Sequence, residues 1–501
     1  MSDGESGRFV DERDNQSHEN DQQVTEEFTT MCEGTTTLFV PKGSLLNKIP
    51  PRTPAFFNPA ARLSRDISIL VYTSFIRLNS CRFNEMPISL ADAFSGVGAR
   101  SIRVANEIPS IDKVILNDLN PVAIKAAEKS ATVNYVGYKC SYSHKDVHSF
   151  LNGGDCNKKA RYAILDLDPF GSPSPYMDSL LRAVTDGGLV SVTATDTAVL
   201  YGKFPNVCFR KYYSRPINCT YSNETAIRIL ISFIGLVAGR MDLAIEPIFA
   251  HSHRHYSRVY VRVYVSSNDA NKLANNLGYI THCFNCGDRR AHPLTFQLPL
   301  SCGNCGSNNG NDNDSKYNSG SKKLAVAGPL WIKPIFNKPL ISDVLCMHGT
   351  NNSRQCYSTS PGDLLPSSNN QKSNTISGDY RPIVSSSEGS LLLPPTRSEC
   401  SNDIVQMSLQ KNFRHIIQLL NLASLELDDQ PFYYTIDEVG SALKVSPPPM
   451  RRILERLVQQ GFRASRTSFR PTGFKTNASM EEIKNCFKGN SRTDKIGVLF
   501  S

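Results

Sequence analysis

The 501-residue sequence has little that resembles a membrane-spanning segment or an import signal. No apolar run reaches the roughly 18 residues that a membrane-spanning helix requires. The longest run, ILISFIGLVAG, ends at Gly239 and predicts a buried helix, so we expect no membrane partner. We also expect no import signal, because the first 30 residues hold nine Asp and Glu against two Arg, whereas a transit peptide is rich in Arg and poor in acidic residues. We expect a disordered acidic tail over 1–35 and a location in the nucleus or cytoplasm, with a mitochondrial pool left open.

The net charge is modest for the whole chain and high for the part that we expect to fold. The total is +9, but without the first 30 residues the chain retains 53 Lys and Arg against 37 Asp and Glu. This excess favours a polyanionic partner, although it would also serve solubility alone. The 14 cysteines come without a secretory signal, which indicates reduced thiols, some of them metal ligands, rather than a disulfide framework.

Apolar strand-like runs alternate with helical stretches between residues 88 and 200, which is the βαβ rhythm of a parallel sheet. The composition therefore predicts an α/β protein, with a Rossmann-like domain followed by a smaller α+β C-terminal domain. The predicted segments are the tail 1–35, the Rossmann-like domain with an N-terminal extension 36–280, a cysteine-rich connecting segment 281–349 with a disordered loop 307–323, a low-complexity insertion 350–401, the C-terminal domain 402–480 and a tail 481–501.

The segment DAFSGVGARSIR, residues 92–103, has the pattern of a strand end, a glycine-rich turn and a helix start. Gly96 and Gly98 allow a ligand to approach the backbone, but Ser101 stands where a dinucleotide-binding turn has its third glycine, so nicotinamide cofactors are disfavoured. Acidic residues stand at the ends of three successive predicted strands: Asp92, Asp118 and Asp146. A short turn beside a carboxylate that binds ribose hydroxyls suits S-adenosylmethionine, although a purely structural turn would show the same Gly-x-Gly.

The segment DLDPFGSP begins at Asp166 and follows the apolar run YAIL. Asp is rare inside strands, so we expect Asp166 and Asp168 to lie where the sheet opens into a loop, which is where open α/β sheets bind ligands. The Asp-Pro-Phe run resembles the (Asp/Asn)-Pro-Pro-(Tyr/Phe) tetrapeptide of amino-group methyltransferases. Asp168 and the Pro169 carbonyl can accept the N–H bonds of an exocyclic amine, and Phe170 can stack on the base. Phe170 also occupies the place of the nucleophilic cysteine of a cytosine-C5 enzyme. A capped strand end with a Pro-Phe turn is the alternative interpretation.

Nine motifs, in this order and over roughly residues 55–480, resemble the tRNA guanine-26 N2-dimethyltransferase family: FFNPAARLSRD, ARSIR, ILNDLNP, DLDPFGSP, VTATDTAVLYG, RKYY, HYSRVYVRV, GPLW and RTSFRPTGFKT. The resemblance implies an S-adenosylmethionine-dependent methyltransferase domain, tRNA as the substrate, and one and then two methyl groups on N2 of guanine 26. It also implies Asp168 as the catalytic carboxylate. The resemblance also implies five donor contacts: Arg65, Arg100, Asp118, Asp146 and Val147. Of these, Asp118 and Asp146 are strand-end residues named above.

Two other functions are compatible with the sequence. One is N2-methylation of a different RNA guanine, and the other is an inactive tRNA-binding or chaperone protein of the same fold. The carboxylates of Asp118, Asp146 and Asp168 favour an enzyme, because acidic groups facing an anionic RNA would not help a pure binder.

The cysteine pairs Cys283-x2-Cys286 and Cys302-x2-Cys305 are separated by fifteen residues, and a glycine follows each pair. Two thiolate pairs of this spacing can close one tetrahedral zinc site. Because four thiolates leave no open position, such a zinc would be structural rather than catalytic. Four free buried thiols are the alternative.

Basic patches mixed with aromatics occur at 210–213, 251–258 and 463–475, and this composition is used to bind phosphates and stack unpaired bases. The segment 433–461 predicts a winged-helix-like, tRNA-binding module in which Pro447–Pro449 precede the second helix, although it could equally be a packing domain. We expect tRNA as the partner, and the sequence indicates no obligate protein partner.

Overall fold

The computed structural model describes residues 27–83, 87–153, 161–308, 324–347 and 403–488. The predicted insertion 350–401 lies outside the described residues, as do nearly all of the predicted loop 307–323 and most of both predicted tails.

The strands, numbered in chain order, are β1 (Phe28–Glu33), β2 (Thr36–Pro41), β3 (Ser89–Asp92), β4 (Lys113–Asn117), β5 (Cys140–Ser143), β6 (Tyr162–Leu167), β7 (Val184–Ala194), β8 (Leu243–His253), β9 (Tyr256–Val265), β10 (Leu277–Cys283), β11 (Arg289–Pro293), β12 (Leu324–Trp331), β13 (Tyr434–Thr435), β14 (Ala464–Arg466) and β15 (Gly473–Thr476).

The helices, numbered in the same way, are α1 (Lys42–Leu46), α2 (Arg62–Leu78), α3 (Ser80–Phe83), α4 (Ala99–Glu107), α5 (Pro121–Val133), α6 (Val147–Asn152), α7 (Met177–Ala183), α8 (Thr197–Leu200), α9 (Pro205–Tyr212), α10 (Ser222–Gly239), α11 (Ser267–Ala270), α12 (Lys338–Met347), α13 (Asp403–Leu425), α14 (Ile436–Leu443), α15 (Met450–Gln459) and α16 (Met480–Lys488).

Two predicted boundaries are wrong. Strand β1 lies within the predicted acidic tail, and it forms because Phe28 is buried and Glu33 pairs with Arg65 in the interior. Helix α16 lies almost wholly within the predicted C-terminal tail. It forms because its apolar face, including Ile483 and Phe487, is buried against the C-terminal domain.

The central sheet has seven strands in the order β5-β4-β3-β6-β7-β9-β8. Strands β3 to β7 run parallel, and the β8–β9 hairpin continues the sheet antiparallel from β7. The chain moves outward from β3 to β5 and then returns to place β6 on the other side of β3. This reversal opens a crevice at the carboxyl ends of β3 and β6, which is the ligand-binding position in open α/β sheets.

The local sequence explains two helices that pack against the strands. Helix α5 begins where the Asn120 side chain caps the backbone N–H groups of Val122 and Ala123, with Pro121 at its first position. Helix α10 is mostly apolar and packs against β8, β9 and β12. By length and composition α10 could cross a membrane, but 83% of that window is buried inside the protein, so it is a core helix as the sequence predicted.

Two smaller sheets follow the central one, in the orders β11-β10-β12 and β13-β15-β14. The C-terminal residues run helix, strand, helix, helix, strand, strand from α13 to β15, which is the element order of a winged helix, and α15 begins directly after Pro449. Buried ion pairs join this domain to the rest of the protein. Lys475 Nζ lies 2.6 Å from Glu224 on α10, and an Arg289 terminal nitrogen lies 2.6 Å from Glu438 on α14.

Candidate active site

The glycine-rich turn between β3 and α4 forms one wall of the crevice. Gly96 and Gly98 both have positive φ, of 53° and 73°, which favours glycine. A Cβ on Gly98 would come within 2.8 Å of the Ala127 Cβ atom, so the helix behind the turn also requires glycine there. The Gly96 N–H donates to Asp118 Oδ2 at 2.8 Å, which brings two of the predicted donor contacts together. The Ser95 hydroxyl oxygen is buried at this turn and has no partner in the described part of the chain, as expected of a group that a bound ligand would satisfy.

Asp92 ends β3 and lies directly opposite Asp166 of β6 in the sheet register. The Ser101 hydroxyl donates to Asp92 Oδ2 at 2.6 Å, and the Phe94 N–H donates to Oδ1 at 3.2 Å. Burial, with the negative charge of Asp166 adding to it, raises the pKa of the Asp92 carboxyl to about 7.

This raised pKa predicts the pH dependence of stability. Between about pH 4 and pH 7 the folded protein retains a proton on Asp92 that the unfolded chain has released, so stability falls as the pH rises through this window. The Asp92→Asn variant cannot titrate there. We therefore compare how far the Tm falls between pH 5 and pH 8 in each protein. We expect this fall to be about 3–10 °C smaller in Asp92→Asn than in the wild type, which corresponds to about 1–3 kcal/mol of unfolding free energy. Thermal unfolding of the ligand-free protein at both pH values measures this, with the exposed Asp178→Asn as control. Equal pH dependence in Asp92→Asn and wild type would contradict the assignment.

The structure corrects the expected place of Asp166. This residue lies inside β6 rather than in the loop after it, and its side chain is fully buried. Burial alone would raise its pKa, but the charges of Arg100 and Arg258 hold the pKa of the Asp166 carboxyl below its usual value. Asp166 is therefore an ionised group inside the protein rather than a ligand at its surface.

Asp168 lies one residue beyond β6, in the loop where the sequence placed it, and its side chain is 33% exposed. A terminal nitrogen of Arg100 donates to Asp168 Oδ2 at 2.7 Å, and an Arg258 nitrogen lies 3.8 Å from the same oxygen. Oδ1 has no partner among the residues that the structure describes. One oxygen of the carboxylate is thus held by arginine, and the other is available to a substrate.

Phe170 follows on the same loop and is 60% exposed, which is unusual for a phenylalanine. The Phe56 ring meets its edge at a centroid distance of 4.8 Å, and the Arg52 guanidinium carbon lies 4.9 Å from the Phe170 ring centre. An exposed ring on the same loop as a carboxylate with a free oxygen can stack on a planar heterocycle while the carboxylate accepts its N–H group.

The remaining predicted donor contacts lie on other elements. Asp146 caps α6 by accepting from the N–H groups of His148 and Ser149, and Val147 is buried in the first turn of that helix. Arg65 lies in a buried ion pair, with its Nε 2.7 Å from Glu33 Oε2. Donor binding by these residues stays a prediction, and for Arg65 it would have to coexist with the ion pair.

The residues behind Asp168 are not among those predicted from the sequence. Arg258 of β9 and Tyr72 of α2 are fully buried and contact Asp166. The available signal was an arginine within the strand run YSRVYVRVYV, which was interpreted as part of a basic surface patch. That interpretation is wrong for Arg258 and for His251, because both side chains are buried.

The cysteine cluster lies between β10 and β12, apart from the crevice. The four Sγ atoms of Cys283, Cys286, Cys302 and Cys305 lie within 4.8 Å of one another, with Cys283 to Cys305 at 3.5 Å and Cys286 to Cys302 at 3.6 Å. Zn–S bonds of about 2.3 Å in a tetrahedron place sulfur atoms about 3.8 Å apart, so this arrangement suits zinc. Gly287, after the first pair, has a φ of 86°, which closes a tight turn around such an ion.

A sheet of this strand order, with a glycine-rich turn and an acidic strand end at its point of reversal, defines a Rossmann-like methyltransferase. Comparison with known proteins identifies the family within this class. The family model described as N2,N2-dimethylguanosine tRNA methyltransferase matches residues 33–376 and 398–488, and the chain belongs to this family.

Relatives extend over nearly the whole chain. The tRNA (guanine(26)-N(2))-dimethyltransferase of Methanothermobacter thermautotrophicus is 31% identical over 460 residues, covering 92% of this chain and 98% of its own. The tRNA (guanine(26)-N(2)/guanine(27)-N(2))-dimethyltransferase of Aquifex aeolicus is 30% identical over 308 residues, covering 61% of this chain and 72% of its own. The structure of Trm1 from Pyrococcus horikoshii with S-adenosyl-L-methionine superposes with a TM-score of 0.65 at 24% identity, covering 91% of this chain and 99% of that one. The predicted fold class and the identification as a methyltransferase are confirmed.

Proposed function

We propose that this protein transfers methyl groups from S-adenosylmethionine to the exocyclic N2 of guanine 26 in tRNA, giving N2-methylguanosine and then N2,N2-dimethylguanosine. The observation that carries the proposal is the Asp168 carboxylate: Oδ2 is bound by Arg100, Oδ1 has no partner among the described residues, and the exposed Phe170 follows two residues later on the same loop. Family membership supports tRNA as the substrate and the amine as the acceptor.

The geometry explains how an unreactive amine can be methylated. The lone pair of guanine N2 is delocalised into the ring, which makes the amine a weak nucleophile. Asp168 Oδ1 can accept an N–H bond from that amine, which localises electron density on nitrogen and provides a place for the proton that is released. Phe170 stacks on the base and fixes the direction of attack. The same carboxylate can serve both rounds, because the monomethylated amine still has one N–H group and the dimethylated product has none.

The residues of the glycine-rich turn suit the methyl donor. When bound, S-adenosylmethionine supplies an electrophilic methyl group on a sulfonium sulfur. Asp118 at the end of β4 would hold the ribose hydroxyls, the turn at Gly96 lets the nucleoside approach the backbone, and the buried Ser95 hydroxyl would gain a partner. Asp92, Arg100, Asp146 and Val147 complete the proposed donor contacts.

We propose that the four cysteines hold a structural zinc ion. The N–H of Gly287 donates to the Cys283 carbonyl, and that of Gly306 donates to the Cys302 carbonyl, each at 2.8 Å, so both pairs form matching turns. Lys484 of α16 donates to the Cys286 carbonyl at 2.7 Å. The ion would therefore stabilise the contact between the cysteine-rich segment and the C-terminal domain.

We infer that tRNA contacts a surface formed by α9 and its flanking residues, called here the α9 face: Lys203, Phe204, Phe209, Arg210, Tyr213 and Arg215. All six side chains are exposed. Cations lie over two of the rings, Lys203 at 5.7 Å from the Phe204 centroid and Arg215 at 5.4 Å from that of Phe209. Exposed aromatics interleaved with cations bind unstacked bases and phosphates.

Hydrogen bonds connect helix α9 to the loop that follows β6 and carries Asp168 to Ser172, called here the reactive loop. The Ser172 hydroxyl donates to the Tyr212 hydroxyl at 2.7 Å, and Tyr212 donates to Asp196 at 2.8 Å. The Gly171 N–H donates to the Thr195 hydroxyl at 2.6 Å. Nucleotides beside the target guanine would therefore meet the α9 face when the base enters the crevice.

The double variant Phe209→Ala, Arg210→Ala tests this surface. Loss of one stacking contact and one phosphate contact should raise the KM for tRNA by about tenfold or more, and should reduce the salt dependence of binding by about one charge. The kcat and the affinity for the donor should stay within twofold of the wild type. Tyr138→Ala, which removes an exposed ring beside the β5 edge, is the control. An unchanged KM for tRNA would place the tRNA elsewhere.

Mass spectrometry of nucleosides from tRNA treated with the purified protein tests the proposed reaction directly. We expect N2-methylguanosine first and N2,N2-dimethylguanosine later, and mapping of the modified fragment should give position 26. Because the name of the Aquifex relative also includes guanine 27, a second tRNA with adenine at position 26 distinguishes the two sites. A protein that binds tRNA but leaves guanine unmodified would refute the proposed function.

A further inference from the structure

We propose that Asp166, Arg258 and Tyr72 are positioning residues for methyl transfer: they fix the guanidinium of Arg100, and Arg100 in turn fixes the carboxylate of Asp168. The proposal rests on the proposed role of Asp168 as the group that binds the target amine.

The inner part of the cluster is a buried ion pair whose donors converge on one oxygen of Asp166, Oδ2. Asp166 Oδ2 accepts from an Arg258 terminal nitrogen and from the Tyr72 hydroxyl, and the Ser191 hydroxyl donates to it at 3.0 Å. The side chains of Arg258 and Asp166 are both fully buried. The other nitrogens of Arg258 are also engaged: its Nε donates to the Tyr260 hydroxyl at 3.1 Å, and its second terminal nitrogen donates to the Thr193 hydroxyl at 2.5 Å.

Arg100 connects this ion pair to the crevice. Its Nε lies 3.3 Å from Asp166 Oδ2, and one terminal nitrogen donates to Asp168 Oδ2 at 2.7 Å. The other terminal nitrogen donates to the Ser68 hydroxyl at 2.5 Å, and Ser68 is itself hydrogen-bonded to Tyr260. Because each nitrogen of the Arg100 guanidinium has a different partner, the guanidinium plane is held in one orientation. That orientation in turn sets the direction in which the Asp168 carboxylate points its Oδ1 atom.

The charges explain why the cluster acts as a unit. Arg100 and Arg258 repel each other, and Asp166 lies close to both and compensates both charges. Without the Asp166 charge the two guanidiniums would separate, and Arg100 would carry Asp168 with it. A buried ion pair is rarely justified by stability alone, because apolar side chains of similar volume do as well. The exposed member of this cluster is Asp168, which indicates that its function is to orient that carboxylate.

A second buried arginine provides the matched control. Arg228 of α10 is as buried as Arg258 and pairs with the buried Glu224 at 2.8 Å, but its other partners are the carbonyls of Trp331 and Lys333. In the test each arginine is changed to lysine. This substitution keeps the positive charge but removes the planar guanidinium, whose nitrogens bind several partners at once. We expect comparable losses in Tm for Arg258→Lys and Arg228→Lys, but a loss of kcat only for Arg258→Lys.

The size of the expected effect follows from the geometry. A displacement of about 1 Å at a reacting group can cost about 10²-fold in rate, so Asp166→Asn should lower kcat by about that factor. Tyr72→Phe removes one hydrogen bond and keeps the ring, and should lower kcat by about five- to tenfold. For Asp166→Asn, Tyr72→Phe and Arg258→Lys the KM for tRNA should stay within threefold of the wild type. The calorimetric Kd for S-adenosylmethionine should change by a smaller factor than kcat does, because Arg100 is also a proposed donor contact. Arg258→Lys should retain more activity than Arg258→Gln.

The measurement is made at a temperature well below each Tm, with circular dichroism confirming the fold. Wild-type kcat in folded Asp166→Asn and Tyr72→Phe would overturn the proposal, as would equal loss of kcat in Arg228→Lys and Arg258→Lys. If the buried charge variants do not fold, Tyr72→Phe decides alone. A wild-type protein that methylates no guanine would refute the proposed function, whereas an active wild type with unaffected variants refutes only the positioning role.

Discussion

Replacing Asp168 with asparagine should lower kcat for methyl transfer by about 10²-fold or more, with little change in donor binding. The substitution keeps the shape of the side chain but removes the charge that localises electron density on the amine. It also removes the group that receives the proton. Loss of a single preorganised group of this kind typically costs about 10²–10³ in kcat. Initial rates of methyl incorporation into tRNA measure the effect, and calorimetry measures the Kd for S-adenosylmethionine.

An aspartate outside the crevice controls for the loss of charge alone. Asp178 of α7 is about half exposed and forms surface ion pairs with Arg182 and Arg240, so Asp178→Asn should keep wild-type kcat. An Asp168→Asn enzyme that retained more than about a tenth of wild-type kcat would show that another group binds the amine. A parallel loss of donor affinity would instead place Asp168 in the donor site.

Removal of the proposed zinc should be the largest change in stability available to this protein. The free energy of thiolate binding contributes directly to folding, and a structural site of four cysteines has no ligand to spare. We expect the purified protein to contain about one zinc per chain, and Cys302→Ser to contain less than about a tenth of that. Loss of the ion should lower the free energy of unfolding by several kcal/mol. The Tm of Cys302→Ser should therefore fall by about 10 °C or more.

Cys208 provides the matched control, because it is a buried thiol outside the cluster. Cys208→Ser should lose some stability, as any buried cavity or polar change does, while its zinc content stays the same. Elemental analysis and thermal unfolding with and without a chelator make the comparison. A metal-free protein with full thermal stability would show that the four cysteines are ordinary thiols.

Sequence reasoning located the site most accurately where the chemistry lies in one short segment. Asp168 and Phe170 were identified from the Asp-Pro-Phe run, and the structure places both at the mouth of the crevice. The cysteines were identified from their spacing, and their sulfur atoms lie together. A local motif carries its own geometry, because turns and strand ends depend mainly on neighbouring residues.

The errors at the site concern charged residues whose partners are distant in sequence. Asp166 is 94 residues from Tyr72 and 92 from Arg258. An aspartate in an apolar strand suggested a loop, and an arginine in an aromatic strand suggested an RNA-binding surface. Each interpretation was reasonable for an isolated charge, since burial of an unpaired charge is costly. In the structure Asp166 and Arg258 pair with each other across the sheet, so both interpretations are wrong.

By itself the sequence determined the alternation of strands and helices in the first domain, the glycine-rich turn, the reactive loop and the cysteine spacing. These features follow from the period of apolar residues and from the conformations that glycine and proline allow. The tertiary structure alone decided that β6 lies between β3 and β7, and hence that Asp166 faces Arg258 and Arg100 in the interior. The physical reason is that a buried charge takes its role from the partner that the fold brings within hydrogen-bonding distance, and strand order determines which partner that is.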